Sequence, residues 1–250
     1  MFKGFYNLTS GMLTQQRNLN VVGNNMVNVS TAGFKKDQYL GSTFDEVMYS
    51  RVGNKDNSNP EEIGQQSYIL TTSQVYPDFT QGVLEPTGIP LDFAIEGEGF
   101  FAVQKEGGEV AYTRSGGFSL DDEGYLCLSN QGRVLDDNGN PFLLMTDKVQ
   151  GDGRGGLFTE DGGYLGQLGV YRFEDYTQLK HDGQGMFTGA QGQLMGQANV
   201  YSGHLERSNV DMIDQMTEMM TCQRALQSAA QMTKMYDQLM SKATTELGRL

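Results

Sequence analysis

Residues 5–29 read FYNLTSGMLTQQRNLNVVGNNMVNV. Phe5, Met12, Leu19 and Met26 stand one heptad apart, and Leu8, Val22 and Val29 lie on the adjoining row. An apolar repeat of seven makes a narrow stripe on a helix, suited to packing against another helix. The spacing predicts a helix over 3–29. Its polar face carries amides (Gln15, Gln16, Asn18, Asn20, Asn24, Asn25, Asn28) where a solvated helix would carry Lys and Glu. Amides hydrogen-bond to neighbouring helices without the desolvation cost of a buried charge. Ser30, Thr31 and Gly33 end the pattern, and Gly33 is expected to supply a left-handed C-terminal cap.

The other end of the chain carries a second such pattern. Met212, Met219, Leu226, Met240 and Leu247 share one heptad row, with Cys222, Ala229, Tyr236 and Ala243 beside it. A helix is expected over 205–247, N-capped by Ser208 or Asn209, with Asp211 and Asp214 near the positive end of its dipole. Met212, Met216, Met219 and Met220 give its first turns a soft, adaptable surface. Heptad stripes at both ends suggest an assembly built by the ends. A contact that repeats between copies without closing generates a helical filament.

The middle has another character. Short apolar runs at Phe93–Ile95, Phe100–Val103, Val110–Thr113, Phe118–Leu120, Tyr125–Leu128 and Val134–Leu135 alternate with Gly-Glu-Gly, Glu-Gly-Gly, Asp-Glu-Gly and Asp-Asn-Gly turns. That rhythm predicts hairpins packed as a barrel or sandwich, continued by 165–173 and 185–202. The stretch 151–163, GDGRGGLFTEDGG, is expected to be a mobile glycine-dense loop. Between the first helix and the β region, Phe44, Val47 and Met48 are expected to extend a short helix or turn. There, too, 50–65 reads as a surface loop and 66–80, through Tyr68, Leu70 and Val75, as a strand. The expected fold class is α+β, with long terminal helices forming a coiled-coil-like assembly core and a central β-rich, barrel- or sandwich-like domain. The expected divisions are 1–36 (assembly helix and signature), 37–80 (transition), 81–204 (β-rich domain) and 205–250 (assembly helix).

Composition narrows the function. An apolar fraction of 38%, 33 glycines and no tryptophan point to many turns rather than one large helical core. The net charge of −13 is uneven: 1–36 holds Lys3, Arg17, Lys35 and Lys36 without an acid, and 209–250 nets −1, which leaves −16 between them. An acidic middle argues against nucleic acid as a partner. Cys127 and Cys222 lie far apart in unlike segments and read as apolar filling rather than a disulfide framework. No run approaches the ~18–20 apolar residues of a membrane span. Polar residues interrupt every turn of the first thirty, so a cleaved Sec signal is not expected.

Enzymatic readings find no constellation. His181 and His204 have no second ligand at metal spacing. Gly97–Gly99 and Gly151–Gly156 lack the strand-to-helix setting of a nucleotide loop. Asp136-Asp137-Asn138-Gly139-Asn140 lacks the glycine placement and closing glutamate of a calcium loop and reads as a hairpin turn. Asp121 and Asp122 sit in a turn rather than as a glycosidase pair. No catalytic, cofactor or metal residue and no small-molecule substrate is expected.

The run GNNMVNVSTAGFKK, from Gly23 to Lys36, resembles the N-terminal signature of the flagellar rod and hook family. In that family the pattern is approximately Asn-Asn-apolar-Ala-Asn-x-x-Thr-x-Gly-Phe, followed by basic residues. Asn24, Asn25, Asn28, Thr31, Gly33 and Phe34 match it, and Val27 stands where the family usually has alanine. Residues 87–103, TGIPLDFAIEGEGFFAV, resemble the family's central hallmark, and Tyr112-Thr113-Arg114 with Phe118 and 121–126 fit its next hairpin. Ser208-Asn209-Val210-Asp211 and Gln223-Arg224-Ala225 resemble its C-terminal module.

The resemblance implies a structural subunit of the flagellar basal-body rod, polymerising through its terminal helices into an axial, torque-transmitting tube for motility. It implies a β domain on the outside of the tube and export through the flagellar type III apparatus. Other copies of the chain and neighbouring rod and hook proteins would be the partners, at the basal body. Phe5, Met12, Leu19, Asn24, Asn25, Asn28, Thr31, Gly33, Phe34, Met212, Met219, Leu226 and Met240 are the expected assembly interface. The alternative is a secreted β-rich binding module or adhesin whose helical ends serve only for oligomerisation.

Overall fold

The structure, a computed structural model, describes residues 2–43, 47–51, 61–66, 70–71, 74–105, 107–129, 131–182, 185–189 and 191–248. It is α+β, with helix α1 at Phe2–Val27, helix α2 at Met212–Leu247 and short strands between them. The chain divides into two compact units. A helical unit holds Met1–Met26, Asp37–Tyr76 and Met212–Leu250, and a β unit holds Val27–Lys36 and Pro77–Asp211.

The β unit is organised around strand Phe100–Gln104, whose first four residues are all buried. Alternate residues of a strand point to opposite faces. Phe101 and Val103 accordingly enter one apolar cluster with Phe93, Leu126, Val134 and Leu157. Phe100 and Ala102 enter another with Tyr112, Phe173 and Phe187. A strand covered on both faces reads as a continuous apolar run, which is why FFAV stands out in the sequence. The second cluster is aromatic, with Phe100 edge-on to Phe173 at 5.6 Å and Phe79 5.2 Å from Phe187. Such edge contacts add to plain burial.

Around this strand lies an antiparallel sheet, nine-stranded among the described residues. Its main path runs from Phe118–Leu120 through Leu126–Leu128, Gly132–Val134, Phe100–Gln104, Val110–Thr113 and Phe187–Thr188 to Lys180–His181. No barrel is closed among the described strands.

Several local expectations change. The stretch 151–163 contributes to a three-stranded sheet of Val149–Gly151, Gly156–Thr159 and Tyr164–Gln167 instead of forming a loop. Its glycines serve a turn: the Asp152 carboxylate accepts from the N–H groups of Arg154 (2.7 Å) and Gly156 (3.0 Å), and the Leu157 beyond it is buried. Val47 and Met48, expected in a helix or turn, open strand Val47–Arg51, which pairs antiparallel with Glu61–Gln66. Residues 50–51 and 61–65 of the expected surface loop are therefore strand residues. The sequence of the second arm, EEIGQQ, carries no apolar-polar alternation to betray it. Phe44, 52–60 and Tyr68 lie outside the described residues. Among the described residues, the strand expected over 66–80 is broken up: Gln66 ends Glu61–Gln66, Leu70–Thr71 pairs with Ser42–Thr43, and Val75–Pro77 pairs with Asp37–Tyr39.

Both helix ends also move. Residues 204–206 form a strand against Leu84–Pro86, so α2 begins only at Met212. Asn209 does not cap it, because its side chain is taken up by Asp78 and Thr80 carbonyls and by the Lys36 N–H. Helix α1 ends at Val27, well before Gly33, which has a different task.

Candidate assembly site

In the helical unit, α1 and α2 run antiparallel. Asn25 Nδ2 donates to Gln215 Oε1 at 3.1 Å, and Asn18 Nδ2 reaches Glu218 Oε1 at 3.4 Å and Cys222 Sγ at 3.3 Å. Farther along, Thr233 Oγ1 lies 3.9 Å from Met12 Sδ, and a Cβ on Gly4 would meet the Tyr236 ring at 3.8 Å. As the α1 number falls, the α2 number rises. Of the amides on α1, Asn18 and Asn25 are part of this seam, whereas Gln16, Asn20 and Asn24 are exposed. Burial pushes the Cys222 thiol pKa up, and the nearby Glu218 carboxylate adds to it.

The seam does not centre on the first-named heptad rows. Val22, Asn25, Gln215 and Cys222 are buried, whereas Met12, Leu19, Met219, Leu226 and Met240 are half-buried, and Phe5 and Met212 are exposed. The adjoining rows form the centre, and the first-named rows flank it. Leu13 stands nine residues before Val22 and Ile213 nine before Cys222, about two and a half turns and so on the opposite helix face. There Leu13 is 51% exposed and Ile213 75%, and Tyr6, Met216 and Met220 are also exposed. Each helix of the unit thus has a partnered face and a second apolar face turned to solvent.

The signature continues into the β unit. Asn28 and Thr31 form a turn, with Thr31 N–H bonded to the Asn28 carbonyl at 3.1 Å and the two side chains at 3.2 Å. Gly33 has φ +69, and a Cβ there would lie 2.2 Å from the Ser115 nitrogen. Glycine is required because another backbone passes where a side chain would stand. Its N–H donates to the Glu206 carbonyl at 2.7 Å. Phe34 is buried edge-on to His181, ring centres 5.9 Å apart. Lys36 N–H donates to Asn209 Oδ1 at 2.7 Å. Residues 33–36 and 206–209 therefore run side by side.

Between them is a buried charge cluster. Glu206 Oε1 accepts from Lys35 Nζ at 2.6 Å and from the Gly82 N–H at 2.9 Å, and Oε2 accepts from Arg114 Nη1 at 3.2 Å. Lys35 Nζ also donates to the Thr80 carbonyl (2.8 Å), and Arg114 Nη2 to the Gly97 carbonyl (2.6 Å). Lys35 is 1% exposed and Glu206 0%. Burial pulls the Lys35 pKa below its ordinary value, against the opposing attraction of Glu206.

The expected interface residues thus fall into separate settings. Phe5, Met12, Leu19, Met219, Leu226 and Met240 flank the helix seam, Asn25 lies within it, and Asn24 and Met212 are exposed beside it. Asn28, Thr31, Gly33 and Phe34 belong to the segment docked in the β unit. Glu206 and Gln215 were not singled out from sequence, and Lys35, Arg114 and Asn209 were named within the family motifs, Asn209 also as a candidate N-cap, but not as interface residues. Those three stand inside recognised motifs, but Glu206 pairs with a residue 171 positions away, which no local pattern reveals.

Among the described residues, no group of three or more His, Cys, Asp or Glu is placed to hold a metal ion. The Asp136 carboxylate accepts from the N–H groups of Asn138 and Asn140, at 2.9 and 2.8 Å, as a turn residue does. Cys127 and Cys222 are both free thiols. No described helix is long and apolar enough to cross a membrane.

Three family models match in order along the chain. "Flagella basal body rod protein" matches residues 5–35, "Flagellar hook protein FlgE/F/G D1 domain" 94–194, and "Flagellar basal body rod FlgEFG protein C-terminal" 201–246. The chain is 32% identical over 247 residues to the flagellar basal-body rod protein FlgF of Caulobacter vibrioides, covering 96% of each. It is 30% identical over 268 residues to the rod protein FlgG of Bacillus subtilis, covering 97% of this chain and 98% of that protein. With the hook-basal body complex protein FlhO of Bacillus subtilis it shares 30% identity over 281 residues, covering 100% of both.

Proposed function

This chain belongs to the flagellar basal-body rod protein family, and on that premise we propose that it polymerises through the outward faces of its terminal helices. It is a structural subunit of the rod, located in the flagellar basal body and working in motility. Rod membership implies assembly with other rod and hook proteins. The reading assigns it no catalytic step, no nucleic acid and no small-molecule substrate. The adhesin alternative is not favoured, since relatives matched over nearly their whole length are rod proteins.

One observation carries the assembly reading. α2 uses Gln215 and Cys222 against α1, yet keeps Ile213, Met216 and Met220 exposed on its far side. A contiguous apolar strip opposite an occupied face marks a second contact. Methionines tolerate a partner of imperfect fit. Helices packed on two sides, repeated from copy to copy by a heterologous contact, give a stiff filament that transmits torque. The tube core would be coiled-coil-like in this sense, with the β unit outside. The same reading carries export through the flagellar type III apparatus, checked by retention of the subunit in an export-deficient strain.

The test is the double variant Ile213→Ser, Met220→Ser. It is expected to keep the helix content and thermal midpoint of the free subunit, to disappear from isolated basal bodies and to leave cells unable to swim. Normal incorporation and swimming would sink the proposal.

A further inference from the structure

We propose that the β unit carries a knob and a matching hole, and that Met145 of one copy seats in a cavity beside Phe79, Phe100 and Tyr176 of the next. The knob is a strained residue. Met145 has φ +57, and every other described residue with positive φ is a glycine. A side chain in that region costs conformational energy, which this glycine-rich chain avoids at the other positions. Nothing inside the subunit recovers the cost: Met145 is 75% exposed, the most exposed methionine among the described residues. Its N–H donates to the Gly124 carbonyl at 3.0 Å, a bond that glycine would make equally well. A lone exposed methionine needs no explanation, but one held against its backbone preference does. Leu143, also exposed, broadens the knob, and the buried Leu144 between them anchors it.

The hole is a cavity of about 290 Å³ whose lining includes Phe79, Phe100, Tyr176 and Arg114. Phe79 lies 5.0 Å from Tyr176 and 5.6 Å from Phe100, centre to centre. Arg114 is buried, with Nη1 on Glu206 and Nη2 on the Gly97 carbonyl, but its Nε has no hydrogen-bond partner among the described residues. A buried N–H left without an acceptor is costly. Three rings and one spare donor suit a thioether, whose sulfur packs favourably on aromatic edges and accepts a weak hydrogen bond. The volume falls just below the usual range of small-molecule sites, which favours a single flexible side chain. Position decides whose side chain it is. Leu144 packs in the cluster of Phe101, whereas Phe79, Phe100 and Tyr176 pack in the cluster on the other face of strand Phe100–Gln104. The knob is thus backed by one face of the strand and the hole by the other, so a knob meets a neighbour's hole and not its own. Such a contact is heterologous and repeats from copy to copy. It rests on the rod reading, which makes a second copy the available neighbour, and adds a contact between β units to the one between helices.

The test uses the full chain in cells, with Met145 replaced by an aliphatic diazirine amino acid of similar length. Illumination is expected to join two copies, with the crosslink mapping to Phe79, Phe100 or Tyr176. Crosslinking to a different protein instead, or no product of two copies, overturns the proposal. Basal-body fractionation of the same cells keeps the two readings apart. A chain present in that fraction without the self-product fails the knob alone, whereas a chain missing from it fails the rod reading and, with no self-product, the knob as well. Met145→Gly supplies a second readout, because it removes the strain and the knob together. The thermal midpoint of the free subunit is expected to stay level or rise, while incorporation into basal bodies falls at least about fivefold. Met145→Leu, which keeps an apolar side chain of similar reach, is expected to retain most of the incorporation. A Met145→Gly midpoint that falls would put the side chain to work inside the subunit and overturn the proposal, as would unaltered incorporation.

Discussion

Asn25 holds the backbone of Asp37 from both sides, its Nδ2 donating to the Asp37 carbonyl at 2.8 Å and its Oδ1 accepting from the Asp37 N–H at 2.9 Å. The same Nδ2 reaches Gln215 on α2 at 3.1 Å. One buried amide thereby joins the first helix, the chain that returns after the signature segment, and the last helix. Asn25→Ala would strand a backbone N–H, a carbonyl and a side-chain oxygen, and should destabilise the helical unit by about 2–4 kcal/mol. Gln16→Ala, at an exposed position of the same helix, should stay within about 0.5 kcal/mol. Urea midpoints of the two variants check the contrast, and equal losses would refute it.

Gly33→Ala should be severe for a residue so small. It combines a left-handed backbone with a Cβ 2.2 Å from a main-chain nitrogen that no side-chain rotation can move aside. A loss of about 3 kcal/mol or more is expected. Gly139, also left-handed but with nothing near its missing Cβ, should tolerate alanine with a loss of about 1 kcal/mol. Thermal midpoints of the two variants measure the difference.

Cys222 reports on the seam. With its thiol buried and its pKa raised, alkylation at pH 8 should run at least about tenfold slower than at half-buried Cys127. Removal of the Asn18 side chain should speed it, because Asn18 Nδ2 covers the sulfur at 3.3 Å. Labelling of Cys222 at the rate of a short unfolded peptide would instead show the seam open in the free subunit. In that case residues 1–30 and 215–250 should also be protease-sensitive and weakly helical before assembly.

Acid should weaken one hairpin selectively. Partial burial opposes ionisation of Asp121, but N–H groups of Tyr125 and Glu123 and the Arg133 guanidinium outweigh it and hold the carboxyl below its ordinary range. A depressed folded pKa stabilises above the unfolded value, and that contribution is lost as pH falls through the folded one. The stability gap between the wild type and Asp121→Asn, measured in urea, should therefore be open at pH 7 and shrink below about pH 4. A gap independent of pH would contradict the assignment.

Much of this architecture is legible locally. The heptad rows locate α1 and α2, FFAV announces a strand buried on both faces, and the Gly-rich turns mark the hairpins, because each pattern is short-range. The arms at Val47–Arg51 and Glu61–Gln66 are not legible, since they pair with each other across a long separation and the arm EEIGQQ shows no apolar-polar alternation. Nor did density of glycine distinguish a loop at 151–163 from turns closed by Asp152.

The amino-acid sequence by itself determined that both ends are helices with apolar stripes, that the middle is antiparallel β structure, and which family the signature resembles. The tertiary structure alone decided which stripe is used within the subunit and which is left outward. A heptad repeat specifies a helix face, but the choice between neighbouring rows depends on the partner helix, through contacts such as Asn25 with Gln215. It alone also turned Gly33 from a helix cap into a point of close approach and gave Lys35 its carboxylate. Those roles come from Ser115 and Glu206, which lie far along the chain and reach the signature only when the sheet has folded.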